Sequence, residues 1–340
     1  MDANERFELI TRNLQEVIGE DELREKLNSG NEFSVYWGTM PTGSISIAYF
    51  FPLLKVADLL KAECKVKILL ADLHAALDST PWEELEKRYE YYKAAIIQVL
   101  EVIGVPLEKL EFVKGSELQL DKNYFHDVLK LSTMSSLNDC KRAASEVVKL
   151  GDNPKLSGMI YPLMQALDEE YLKVDAQLGG NDQRKIMVYA RENLPRIGYS
   201  SRIELLNPLI RGLIGEKMSS SIENSKIDLM DNPETVKKKI NKADCVEGDP
   251  DNGIMALLKY FIFIIKNDKQ EKFVINRPEK YGGNLEYESY EDLEKDFIEK
   301  NLHPLDLKNG VADEINKLLE KFQQNDELKK LHEEAYPSTK

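Results

Sequence analysis

Cysteine is scarce: Cys64, Cys140 and Cys245 are the only three in 340 residues, and they stand far apart. That spacing offers neither a close metal-ligand motif nor a disulfide framework, so no structural zinc is expected. Positive charge is short as well, with 46 Lys and Arg against 60 Asp and Glu and a net charge of −14. Bulk electrostatics therefore do not predict nucleic-acid binding, although a local basic surface can still attract phosphate. Long apolar runs are missing. The strongest, residues 260–265, is far shorter than the roughly 20 residues of a bilayer span, so buried packing is the reading and no membrane partner is expected. The segment between Asp2 and Glu22 is rich in acid, unlike a secretory or organelle-targeting sequence, and a cytoplasmic protein is expected. No internal repeat or low-complexity tract emerges. What remains, 42% hydrophobic and 31% charged residues, is the composition of a globular protein. Its length fits about two domains of roughly 100–200 residues each.

Periodicity sketches the organisation. Residues 1–30 read as one or two solvated helices, residues 33–37 as a strand, and Gly38 to Gly43 as a turn. A helix is expected over 47–62, a strand over 66–71, a helix over 83–103 stopped by Gly104-Val105-Pro106, and a strand over 110–113. This alternation predicts an α/β domain with a largely parallel sheet. Ligands collect beyond the carboxyl ends of such strands, near Gly38 and His74. Residues 146–167 read as helices interrupted by Gly151, Pro154, Gly158 and Pro162. Gly179-Gly180 opens a polar loop, and 200–228 reads as loops. From about Asp231 the pattern turns helical, with Asn232 as a cap and Pro233 at the first helical position. Expected helical segments are 253–266 (one helix or two short ones), 291–300 and 311–322. A first domain over 1–230 and a second over 231–340 follow, with an insertion near 115–150.

Two loops carry phosphate chemistry. Gly38-Thr39-Met40-Pro41-Thr42-Gly43-Ser44-Ile45-Ser46-Ile47-Ala48-Tyr49 leaves a strand and enters a helix, where backbone donors can approach an anion. Gly215-Glu216-Lys217-Met218-Ser219-Ser220-Ser221 offers a lysine and hydroxyls for developing phosphate charge. Singly, a plain loop–helix junction and an exposed Lys–Ser turn are the better explanations. Together they resemble the two signature motifs of class I aminoacyl-tRNA synthetases. Four further tracts narrow the likeness: Val35-Tyr36-Trp37-Gly38-Thr39, Ala71-Asp72-Leu73-His74-Ala75, Tyr161-Pro162-Leu163-Met164-Gln165-Ala166-Leu167-Asp168, and Gly179-Gly180-Asn181-Asp182-Gln183-Arg184-Lys185. They resemble the archaeal and eukaryotic cytoplasmic tyrosyl-tRNA synthetases over approximately residues 5–325.

The resemblance implies a Rossmann-like catalytic domain, a C-terminal α-helical anticodon-binding domain, and ATP-dependent activation of tyrosine followed by its transfer to tRNA. It implies that Tyr36 and Asp168 read the substrate phenol. Tyr161, Gln165 and Gln183 would meet its ammonium group, and His74 would organise the pocket. ATP would lie against Gly38, Thr42, Gly43, Gly180, Asp182, Lys217, Met218 and Ser219, with Lys217, Ser219, Ser220 and Ser46 serving catalysis and Mg²⁺ arriving with ATP. At Ser46 the chain departs from the family, which usually has histidine there; serine keeps one donor but not imidazolium charge. Glu279-Lys280-Tyr281-Gly282-Gly283 and His303-Pro304-Leu305-Asp306-Leu307-Lys308 resemble the anticodon-binding part. There Tyr281 and His303 would stack on a base and Asp306 bond its edge. The family implies a homodimer. A synthetase-like tRNA-binding or regulatory protein with weakened catalysis stays open, as does another adenylating enzyme.

Overall fold

The computed structural model describes residues 1–148, 150–213 and 226–337. Its contacts divide into two compact units, one of residues 1–42, 55–97 and 104–209, the other of residues 43–54, 98–103 and 210–340.

The first unit is built on six strands: β1 (Glu16–Ile18), β2 (Ser34–Thr39), β3 (Lys65–Leu70), β4 (Leu110–Lys114), β5 (Ala176–Gly180) and β6 (Ile203–Asn207). Their order is β1-β6-β5-β2-β3-β4. Strands β2 to β6 are parallel and β1 lies antiparallel on β6. From β2 the chain builds outward through β3 and β4, then returns to the other side of β2 to add β5 and β6. The strand order therefore reverses between β2 and β5, and the carboxyl ends of those two strands open the crevice where ligands bind in such sheets.

The expected strands β2, β3 and β4 appear within two residues of their predicted ends. The others differ. Gly179-Gly180 closes β5, and residues 203–207, expected as loop, form β6 inside the sheet. Glu204 interrupts that short apolar run, yet is 0% exposed, so burial rather than alternation decides the strand. Residues 146–167 do not break into several helices: one helix, Ser157–Tyr171, runs straight through Pro162. Proline removes one intrahelical donor, but Tyr161, Leu163, Met164, Ala166 and Leu167 are all buried around it, and that packing holds the helix together.

A buried charge fixes the amino-terminal helix Ala3–Thr11 to the sheet-packing helix. Lys55, 3% exposed, donates to Asp58 Oδ2 at 2.9 Å and to the carbonyls of Leu9 and Ile10 at 3.3 and 3.2 Å. Arg12 pairs with the same Asp58. Every charge in the cluster has a partner, the condition under which burial of an ion pair is tolerated.

The second unit is mainly helical, with Pro233–Lys242, Tyr290–Ile298, Pro304–Gln323 and Asp326–Ala335 beside a small antiparallel pair, β7 (Phe273–Ile275) and β8 (Leu285–Tyr287). As expected, Asn232 caps its helix by accepting from Thr235 N at 2.9 Å, with Pro233 next. Residues 253–268 form two short helices joined by a π turn over Leu258–Ile262. Phe50, in the helix after the first phosphate loop, lies 4.6 Å from Phe261 and 6.3 Å from Phe322, ring centre to ring centre.

Candidate active site

The floor of the switch-point crevice is a set of buried polar groups. Tyr36, in the middle of β2, is 1% exposed, and its hydroxyl has no partner among the described residues. Burial, then the negative charge of Asp168, Glu169 and Glu204, holds that phenol well above its ordinary pKa. The helix Ser157–Tyr171 supplies the facing wall: Tyr161, Gln165 and Asp168 fall four and three apart and share a face.

Asp168 is 1% exposed and accepts at Oδ1 from Gln119 Nε2 and from the Tyr124 hydroxyl, both at 2.8 Å. Burial raises its carboxyl from 3.8 to about 7, against the lowering effect of those two hydrogen bonds. Gln119 spends its other amide proton on His74 Nδ1, 3.1 Å away, because a carboxylate and an imidazole nitrogen both call for the donor end of the amide. His74 therefore carries its proton on Nε2. Burial lowers its pKa to about 4, so it is neutral at pH 7. Among the described residues that Nε2 has no well-formed hydrogen bond, the Tyr161 backbone offering only a partial one, and it stands 4.0 Å from Asp168 Oδ2, too far to bond. Two under-satisfied groups, the Tyr36 hydroxyl and His74 Nε2–H, thus border one carboxyl. Buried polar groups without partners are uncommon in folded proteins; a ligand hydroxyl that donates to Asp168 and accepts from Tyr36 would complete this site.

Above the floor, Tyr161 stacks edge-on against His74 with centroids 4.6 Å apart and directs its hydroxyl to Met40 Sδ at 3.4 Å. Gln165 Nε2 donates to Gln183 Oε1 at 2.8 Å, which joins the two amides expected at the ammonium end. All six residues expected to bind the amino acid, Tyr36, His74, Tyr161, Gln165, Asp168 and Gln183, thus fall in this one unit. Gln119 and Tyr124, which the sequence reading did not single out, hold the Asp168 carboxyl. They lie in the stretch taken as an insertion, and only their reach to Asp168 identifies them. Glu169 and Glu204 are 0% exposed with no carboxyl oxygen hydrogen-bonded among the described residues, and burial pushes both towards the neutral acid.

The glycines separate into two kinds. At Gly179 a Cβ would come within 2.5 Å of Met187 Cε, and at Gly180 within 2.6 Å of Asp182 Oδ1, so a larger residue at either place would have to displace the end of that neighbouring side chain. Gly38 has room for a Cβ, its nearest neighbour being the Tyr36 ring at 3.5 Å, and Gly43 meets nothing within 4 Å. Among the described residues nothing fills the space a Cβ would take at those two, which leaves the backbone open to close approach. Thr42 turns its N–H to Met40 O at 2.9 Å and its carbonyl to Arg88.

Lys217, Met218, Ser219 and Ser220 lie outside the described residues. The segment just after them is described. Ile47 N donates to Ile227 O at 2.9 Å and Leu229 N to Ile45 O at 3.0 Å, a bridge pairing Ser46 with Asp228. The first phosphate loop is therefore clamped to the residues that follow the second. Ser46 is buried at 7% exposure. In the same unit, Arg277 links the two anticodon candidates. Its Nε donates to Gly283 O at 3.0 Å and its Nη1 is 3.7 Å from Asp306. Tyr281 is 62% exposed beside them. His303 caps the helix Pro304–Gln323, its Nδ1 accepting from Leu305 N at 3.1 Å. Gly282 and Gly283 have φ of +95° and +73°, where glycine is favoured.

A doubly wound α/β unit with a cluster of buried polar groups is the arrangement in which ligands gather at the switch point of the sheet. Residues 28–320 match the family described as tRNA synthetases class I (W and Y). The chain is 54% identical to the cytoplasmic tyrosine–tRNA ligase of Gallus gallus, covering 98% of this chain and 64% of that one. It therefore spans about two thirds or less of the length of that relative. Identity to the cytoplasmic tyrosine–tRNA ligase of Saccharomyces cerevisiae is 49%, covering 99% and 89%. The solved tyrosyl-tRNA synthetase of Archaeoglobus fulgidus, complexed with L-tyrosine, superposes with a TM-score of 0.87 at 41% identity, covering 97% of this chain and all of that one. The chain belongs to the class I tRNA synthetases of the W and Y family, on their tyrosyl, cytoplasmic and archaeal branch.

Proposed function

We propose that this chain is a cytoplasmic tyrosine–tRNA ligase. The tyrosine carboxylate attacks the ATP α-phosphorus, forming tyrosyl-adenylate and releasing pyrophosphate. The terminal ribose of tRNA(Tyr) then attacks the activated carbonyl and releases AMP. One observation carries the substrate: the unpartnered Tyr36 hydroxyl beside the buried Asp168 carboxyl. Phenylalanine would leave the Tyr36 hydroxyl unpartnered and give Asp168 no donor beyond Gln119 and Tyr124, a loss of about 1–3 kcal/mol for each interaction forgone. Gln165, Gln183 and Tyr161 offer oxygens to the substrate ammonium group.

ATP lies against the backbone of Gly38, Thr42, Gly43 and Gly180, with Asp182 nearby and Lys217, Met218, Ser219 and Ser220 at the phosphates. Stabilisation there is electrostatic and positional. Among the described residues no group of three His, Cys, Asp or Glu could hold a metal. Mg²⁺ would accompany the phosphates of ATP and neutralise their charge, as this small, reluctantly dehydrated ion commonly does. Residues 1–230 form the activating portion and 231–340 the tRNA-reading portion, where exposed Tyr281 stacks on an anticodon base with His303 and Asp306 adjacent. Among the described residues no helix is long and apolar enough to cross a membrane.

The functional form is a homodimer. On the helix Lys122–Met134, Tyr124, Val128 and Leu131 face inward while Phe125 and Leu129 are 59% and 51% exposed. Leu120 and Leu137 flank them at 71% and 66%, an apolar patch of the kind that marks a protein partner. The ligase reading is tested by charging tRNA(Tyr) with labelled tyrosine: charging is expected, and adenylate formation without charging would leave only the first half-reaction.

A further inference from the structure

The proposed activation step leaves a gap at Ser46, where the first phosphate loop lacks the imidazole usual in the family. We propose that His332, on the C-terminal helix Asp326–Ala335, supplies an imidazole to that loop and acts as a positioning residue for ATP. Its Nε2 lies 3.0 Å from Ser44 Oγ, across 288 residues of sequence. Ser46 has extended backbone, φ −111° and ψ 171°, and Ile45 and Ile47 both pair with the strand-like residues opposite. Side chains alternate along such a stretch. Ile45 and Ile47, 0% and 1% exposed, turn into the core, while Ser44 and Ser46 share the other side. An imidazole bonded to Ser44 therefore borders the side of the loop from which a histidine at position 46 would project.

The helix that carries His332 is firmly held. Leu328 and Ala335 are each 1% exposed. Asn325 caps it through Leu328 N at 3.0 Å and donates to Gln98 Oε1 at 2.9 Å. One helix earlier, Gln323 donates to Asp231 O at 2.7 Å, while Asp231 accepts at 2.8 Å from the N–H of Asp228, the residue bridged to Ser46. Helix, bridge and loop thus form one hydrogen-bonded set within the second unit. In this arrangement the C-terminal helix is part of the ATP-handling apparatus, whatever else its unit does with RNA.

The inference rests on the proposed ATP-dependent activation, and the test separates the two. ATP–pyrophosphate exchange and equilibrium ATP binding are measured on the full chain for wild type, His332→Ala, Ser46→His and the double variant, each with a melting curve. Exchange by the wild type tests the underlying reading. For His332→Ala we expect KM for ATP to rise at least fivefold with KM for tyrosine unchanged, and Ser46→His to reduce that loss to within twofold. Ser44→Ala, which removes the same hydrogen bond from the loop side, should reproduce the ATP effect and serves if His332→Ala does not fold. ATP kinetics within twofold of wild type in both variants, an equal rise in KM for tyrosine, or no rescue by Ser46→His would overturn it. If the wild type exchanges nothing, the binding series decides. Weakened ATP binding restored by Ser46→His supports the inference, and unchanged or absent ATP binding ends it.

Discussion

Asp168→Asn should make the protein more stable, and more so as pH rises. The Asp168 carboxyl is raised from 3.8 to about 7 by burial. A folded-state acid with a raised pKa holds its proton where the unfolded chain has lost it, so stability falls as pH climbs from the unfolded value to the folded one. Across that window, at about 1.4 kcal/mol per pH unit, the wild type forfeits about 4 kcal/mol. Asparagine keeps an oxygen to accept from Gln119 and Tyr124 but has no proton to lose. Its advantage over wild type should therefore grow by about 2–3 kcal/mol between pH 5 and pH 8, a difference of several degrees in Tm. Thermal unfolding of both proteins at the two pH values, read by circular dichroism, gives the comparison directly. The same variant should lose about 10- to 100-fold in kcat/KM for tyrosine, since a hydrogen bond to a charged group is worth about 1.5–3 kcal/mol. An advantage that is independent of pH, or a destabilised variant at pH 8, would refute the account of a strained carboxyl kept for its ligand.

Tyr36→Phe removes a hydroxyl that has no partner among the described residues, so stability should hold or rise by up to about 1 kcal/mol while selectivity for tyrosine over phenylalanine collapses; urea melts and substrate competition check both. Asp58→Ala strands Lys55, 3% exposed, without its counter-ion and should cost about 3–5 kcal/mol in a urea melt. Tyr281→Ala, at an exposed position, should leave tyrosine exchange within twofold while lowering tRNA charging about tenfold, the scale of one lost base stack. A loss of exchange would place Tyr281 in the fold and not at the RNA.

The sequence was most legible where local chemistry and fold agree. The strands before Gly38 and before Asp72 could be read from their apolar runs, and Asn232-Pro233 from capping chemistry, because each signal is contained within a few residues. The gathering of Tyr36, His74, Tyr161, Gln165, Asp168 and Gln183 in one unit was legible only through likeness to a family: the spacing of Tyr161, Gln165 and Asp168 is equally the spacing of any helix face. Gln119 and Tyr124 were invisible because their importance arises from a contact across 44 to 49 positions, which no window of sequence contains. Strand β6 was hidden by Glu204, a buried acid in the middle of a strand, and the helix through Pro162 by a residue that breaks helices when packing does not hold them. In both places tertiary burial overruled local propensity. The bridge between Ser46 and Asp228 belongs to the same class: a pairing 182 positions apart is settled by topology, and the turn formers on either side hide it.

The central claim is that this pocket reads a phenol for ATP-dependent activation, and the direct measurement is ATP–pyrophosphate exchange by the purified, folded chain with Mg²⁺, tyrosine and phenylalanine being supplied in turn. The account predicts exchange with tyrosine, and with phenylalanine a kcat/KM lower by at least about 30-fold, since the Tyr36 hydroxyl is left unpaired and Asp168 loses the substrate's donor, at about 1–3 kcal/mol each. Equal exchange with both amino acids, or none with tyrosine, would contradict it.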